Sequence, residues 1–229
     1  MKQTAALKAP VTLEEILNAV THGVGAALAV AALIGMLVYY AGDGVWHTTS
    51  CLVYGISLIL LYLASTLYHS FTNRKVKSVF KVIDHAAIFV LIAGNYTPFA
   101  LIPLRGSFGW TIFGLVWGMA LVGIVFQCFA AKRFRIVRTI CYLAMGWFAV
   151  FMVKPLLETL PLEAIWWLVA GGLCYSVGAI FYLARRLPYS HVIWHLFVMG
   201  GSAIHFYTCL IYTTPSPRDC SSARMPSSA

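Results

Sequence analysis

The stretch Ser-His-Val-Ile-Trp-His-Leu-Phe-Val-Met, residues 190–199, decides the reading of this chain. It opens an apolar run that continues to residue 213. A membrane-spanning helix needs roughly 20 such residues. His191 and His195 stand four positions apart in that run. In a helix they share one face, stacked one turn apart. Imidazole is a ligand for zinc and several other transition metals. Ionisable groups inside a span are costly, so a pair on one face asks for a common purpose.

The rest of the sequence has the same character. The chain has 229 residues, 61% of them hydrophobic and only 10% charged. Soluble domains carry about 25% charged residues. Seven apolar runs are long enough to span: 20–41, 47–69, 82–103, 109–130, 137–154, 162–184 and 190–213. Gly, Pro or charge marks each break, as in Gly42-Asp43-Gly44, Arg74-Lys75 and Pro155. The fifth run is the shortest and its end is poorly marked. The predicted fold is therefore all-α, a seven-transmembrane helix bundle over residues 20–213.

Two flanking segments complete the organisation. Residues 1–19 precede the bundle. Thr12 and Glu15 there match a capping box, which predicts a short interfacial helix leading into the first span. Residues 214–229 are small, polar and rich in Pro and Ser, and read as a disordered tail or a cloning remnant. No cleavable signal peptide is expected, because the first ten residues are polar and mixed. The six cysteines show no CxxC spacing and read as packing residues, with a Cys209–Cys220 bond left open.

The net charge of +9 is a statement about topology rather than nucleic acid. Lys and Arg gather in alternate loops: Arg74, Lys75, Lys77 and Lys81, then Lys132, Arg133, Arg135 and Arg138, then Arg185 and Arg186. Positive loops stay in the cytoplasm. The N-terminus is thus predicted inside and the C-terminus outside, and no nucleic-acid partner is expected.

That topology brings distant polar residues to one depth. His69 ends the second span, Asp84 starts the third, and His191 and His195 start the seventh, all on the cytoplasmic side. Ser65 lies one turn deeper than His69 on the same face. Three neutral imidazoles can bind zinc and leave a fourth position for water. Zinc lowers the pKa of that water to about 7. Asp84 could orient the water or act as general base, and Ser65 could support it or stabilise an oxyanion. The expected metal ligands are His69, His191 and His195, with Asp84 and Ser65 as the catalytic pair. Glu15, Asn18 and His22 share one face of the first helix. They either support the site or pack that helix. His85 points about 100° away from Asp84 and reads as an interfacial hydrogen-bonding residue or a support. His205 lies too far along the last helix to reach the same ion, and His47 sits at the opposite surface. Asn95, Thr97 and Pro98 form a polar, kinked stretch that can bend a helix around a cavity.

These spacings resemble the signature of the hemolysin III group within the progestin and adipoQ receptor family. The matching strings are Ser65-x3-His69, Asp84-His85, His191-x3-His195 and Glu15-x2-Asn18-x2-Thr21-His22-Gly23. Ala93-Gly-Asn-Tyr-Thr-Pro98 and Tyr142-Leu-Ala-Met-Gly-Trp147 strengthen the likeness, which covers residues 12–213. The resemblance implies a zinc ion near the cytoplasmic face held by His69, His191 and His195, with Asp84 acting through a water and Ser65 beside it. It also implies a bacterial inner (plasma) membrane location and a role in cytolysis or membrane-lipid homeostasis. The wider superfamily includes membrane ceramidases, so hydrolysis of a lipid amide or ester is an expected chemistry.

Three functions remain open on the sequence. One is a zinc-dependent hydrolase acting on membrane lipids. A second is a non-enzymatic regulator of membrane state with a structural zinc. A third is a pore-forming cytolysin, which the scarcity of charged residues within the spans disfavours.

Overall fold

A computed structural model describes residues 11–130, 134–184 and 186–212. The proposed 214–229 tail, Lys132, Arg133, Arg185 and Cys220 lie outside these residues. The described residues form helices and short connections, with no strand among them. In chain order they are α1 (Leu13–Tyr39), α2 (Val45–Ser70), α3 (Arg74–Leu101), α4 (Ser107–Ala130), α5 (Arg135–Trp147), a 3₁₀ segment (Phe148–Met152), α6 (Val153–Thr159), α7 (Leu162–Leu183) and α8 (Ser190–Tyr212).

Successive helices pack side by side, α1 on α2, α2 on α3, α3 on α4 and α7 on α8, and α1 closes the ring against α8. The α3 helix sits inside, also touching α5 and α8. The turn between α1 and α2 depends on Gly42 and Gly44, both at φ 98°, a conformation L side chains rarely adopt. The α2–α3 approach depends on Gly94, where a Cβ would overlap the Ser57 side chain.

The apolar residues face outward and many polar ones face inward. Val24, Leu28 and Ile34 on α1, and Leu121, Val122 and Phe129 on α4, are exposed. Asn18, Ser57, Ser65, Asp84, Thr97 and Gln127 are buried. Such an apolar exterior suits lipid, not water. Among the described residues, six helical stretches are long and apolar enough to cross a membrane: Leu13–Tyr39, Val45–Ser70, Ser107–Phe129, Arg135–Thr159, Leu162–Leu183 and Ser190–Ile211. The α3 helix is not among them. Asp84, His85, Asn95 and Thr97 lower its hydropathy, and its inner position keeps these groups away from lipid.

Three local expectations need revision. Thr12 does cap α1, its hydroxyl accepting the Glu15 N–H at 3.2 Å. The helix then runs unbroken to Tyr39, so the leading helix and the first span are one element. Arg74, Lys75, Lys77 and Lys81 ride on the first turns of α3 instead of a loop. The fifth run is a helix interrupted by the 3₁₀ segment. Pro155 lacks an N–H and crowds the carbonyl four residues back, so an α-helix cannot pass regularly through residue 151. Tyr96 makes the break tolerable. Its hydroxyl faces the carbonyls of Met145 and Gly146, at 2.9 and 2.6 Å, and accepts the Ala149 N–H at 2.7 Å. Freed backbone groups inside a membrane protein need such partners.

Candidate metal centre

Three helix ends meet at one end of the bundle. His69 lies in the last turn of α2, and His191 and His195 lie in the first turns of α8. One ring nitrogen from each comes within 4.8 Å of the others, so the three could hold a metal ion between them. His69 and His195 are almost fully buried.

The hydrogen bonds around these rings leave nitrogens free for a ligand role. Nδ1 of His69 pairs with Glu15 Oε2 at 3.0 Å, while its buried Nε2 has no hydrogen-bond partner. Lys77 Nζ donates to the same Glu15 oxygen at 2.6 Å. The Thr21 hydroxyl donates to the Asn18 carbonyl at 3.0 Å and lies 3.2 Å from His195 Nδ1. With its proton committed to Asn18, that hydroxyl accepts from Nδ1–H, leaving Nε2 of His195 with its lone pair. Carboxylate or hydroxyl groups behind an imidazole are the usual means of fixing a metal-binding tautomer. The orphaned Nε2 of His69 fits such a site.

His22 is not part of the three-nitrogen group. Its ring stacks on His195, with centroids 3.5 Å apart and planes 7° apart, and it meets Tyr62 edge-on at 5.1 Å. Of the residues expected to support the site, Glu15 touches a metal-ligand candidate by hydrogen bond and His22 by stacking. Asn18 does so through Thr21.

His85 is buried and has both ring nitrogens engaged. Nδ1 is 2.7 Å from the Lys81 carbonyl and 3.4 Å from Asp84 Oδ2, and Nε2 is 3.1 Å from the Tyr182 hydroxyl. Only 5% of it is exposed. Tyr182 also accepts from Arg138 Nη2 at 2.7 Å, and Arg138 Nη1 donates to Gln127 at 3.1 Å. Arg138 was expected in a cytoplasmic loop; only 4% of it is exposed. No charge count along the chain could have shown that this arginine turns into the bundle.

Asp84 lines a cavity of about 210 Å³ together with His22, His191 and His195. Ser65 is fully buried beside Asp84, though its hydroxyl makes no hydrogen bond of ordinary geometry. Apolar groups, among them Phe99, Trp147 and Leu168, carry the cavity onward into the bundle. His205, at the far side, places Nε2 3.2 Å from the Leu168 carbonyl. His47 pairs with the Asp43 carbonyl at 3.1 Å, away from the three-histidine group.

An apolar-surfaced helical bundle with buried histidines converging at one end is an integral membrane protein with a candidate metal centre. Its sequence matches the family profile described as Haemolysin-III related over residues 11–206, and the chain belongs to that family. It is 48% identical to Hemolysin-3 of Bacillus cereus over 204 residues, covering 89% of this chain and 93% of that protein. The Hemolysin-3 homolog of Bacillus subtilis (strain 168) is also 48% identical, over 205 residues, covering 89% and 96% of the two chains. The human Monocyte to macrophage differentiation factor is 30% identical over 221 residues, covering 92% and 89%.

Proposed function

We propose that this protein is a zinc-dependent hydrolase of the bacterial plasma membrane, cleaving an amide or ester bond in a lipid during membrane-lipid homeostasis. One observation carries the reading: three histidine nitrogens within 4.8 Å of one another, beside an apolar cavity that also presents a carboxylate. Three protein ligands leave a coordination position open, as catalytic zinc sites do. Zinc held there would act as a Lewis acid and would acidify water.

The chain's own groups supply the rest. His69, His191 and His195 are the ligands. Asp84 takes up a proton at its carboxylate during attack on the scissile carbonyl. Ser65, buried beside that carboxylate, supports the site or stabilises an oxyanion. Glu15 and Thr21 hold the His69 and His195 rings. The apolar cavity wall accommodates the acyl chain and excludes water.

In the membrane, α3 is the seventh crossing, protected by its inner position. Basic residues near Arg74–Lys81, residues 132–135 and residues 185–186 support an orientation with the N-terminus and the metal centre on the cytoplasmic side and the C-terminus outside. Membrane lipids are then both surroundings and substrate.

Elemental analysis of the detergent-purified protein tests this, beside His191→Ala and His195→Ala variants and with turnover of a long-chain acyl amide measured on the same samples. The expected result is about one zinc per chain, lost in both variants, with release of free fatty acid only when metal is present. Full metal occupancy in both variants would sink the site. Zinc without turnover would favour a regulator in which the ion ties the ends of α2 and α8 together.

A further inference from the structure

A second polar cluster sits deeper in the bundle, on the wall of the same cavity. Asn95 on α3, Tyr175 on α7 and His205 on α8 line it, and Ser202 on α8 joins them from behind through Tyr175. The Tyr175 and Ser202 hydroxyls are 2.8 Å apart, and the Tyr54 hydroxyl donates to the Ser202 carbonyl at 3.1 Å. The Asn95 side chain lies against the Tyr175 hydroxyl, and the His205 ring meets the Tyr175 ring edge-on at 5.5 Å.

Two acceptors in this cluster are unmatched. His205 commits Nε2–H to the Leu168 carbonyl, which leaves Nδ1 as a bare acceptor. Neither that nitrogen nor Asn95 Oδ1 has a hydrogen-bond partner. Buried polar atoms without partners are uncommon and need an explanation. Both belong to residues that line a cavity which is otherwise largely apolar at this depth. A hydroxyl carries one proton, so it can serve one of these two acceptors at a time. A carboxylate or ketone oxygen would not serve; an alcohol O–H would.

The spacing from the metal centre is also informative. His205 lies ten residues beyond His195 on α8, and Asn95 eleven beyond Asp84 on α3. At 1.5 Å per residue both separations are about 15 Å along the helices. An extended acyl chain with its head at the histidines would bring a mid-chain carbon to this level.

We propose that Asn95 and His205 form a subsite for a hydroxyl group carried mid-chain by the amphiphile whose head lies at the metal centre. The preferred ligand class is therefore a hydroxylated acyl amide or ester. This rests on the reading of the metal centre as a lipid-binding site.

The test is displacement of a fluorescent fatty acid from the purified, full-length protein by 12-hydroxystearamide and by stearamide. The hydroxylated probe is expected to bind about three- to tenfold more tightly, the worth of one net hydrogen bond. Asn95→Leu and His205→Phe should each reduce that ratio towards one while leaving stearamide binding in place, which also shows that the variants are folded. Equal affinity of the unaltered protein for the two probes would mean that water satisfies the acceptors, and would overturn the subsite alone. A preference that survives both substitutions would likewise overturn it. Failure of both probes to bind would remove the lipid-binding reading and the subsite together.

Discussion

Nδ1 of His69 and Oε2 of Glu15 are 3.0 Å apart, joining the last turn of α2 to the first turn of α1. The carboxylate fixes which nitrogen of the ring carries the proton, so Nε2 is presented as the lone-pair donor. Lys77 holds the same oxygen from α3. Glu15→Ala is expected to weaken metal binding by about 10–100-fold, the usual cost of losing such a partner. Competition against a soluble chelator measures it. Unchanged affinity would show that the His69 ring needs no help from α1.

Asp84 reaches the cavity but is not one of the three clustered ligands. Asp84→Asn should therefore retain the metal while hydrolysis falls by about 10²–10⁴-fold, the range for loss of a general base. Metal content and fatty-acid release from one preparation decide the matter. An active Asp84→Asn protein would assign proton transfer elsewhere.

The His22 ring lies flat on His195 and offers no atom to the metal group. Aromatic pairs contribute about 0.5–1.5 kcal/mol beyond burial. His22→Phe should keep the stack and the metal affinity. His22→Ala should lower that affinity by about two- to tenfold. If His22→Phe lost the metal as completely as His191→Ala, His22 would be a ligand after all.

Tyr182 joins His85 to Arg138 in the middle of the bundle. Tyr182→Phe keeps the ring but removes the hydroxyl paired with Nε2 of His85, leaving that buried nitrogen short of a partner. Unsatisfied buried groups of this kind cost about 1–3 kcal/mol. Thermal unfolding in detergent should report a lowered midpoint, with metal content unchanged. An unaltered midpoint would mean that the two neighbours pair with each other or with water.

The helices and the three clustered histidines were legible because each follows from local arithmetic. Apolar runs broken by Gly42, Arg74 or Pro155 give spans, and His191-x3-His195 gives one face. The partners of those histidines were less so. Thr21 and His195 are 174 positions apart in sequence and 3.2 Å apart in space, a relation no spacing rule contains. Lys77 and Arg138 look alike in a charge count, yet one holds Glu15 and the other is buried against Gln127 and Tyr182. Their difference lies in which way a helix is rotated, and the neighbouring helices decide that. The break between α5 and α6 depends on Pro155, visible in sequence, and on Tyr96, which is not adjacent to it and whose role only packing reveals.

The placement of the three histidines also orders events during synthesis. One imidazole arrives with α2, and the other two arrive with α8, the last of the described helices. A stalled or truncated chain ending before Ser190 has a single ligand and no reason to retain an ion. Metal capture by this group would therefore be a late event in biogenesis, open only to a chain whose α2 and α8 have already met in the bilayer.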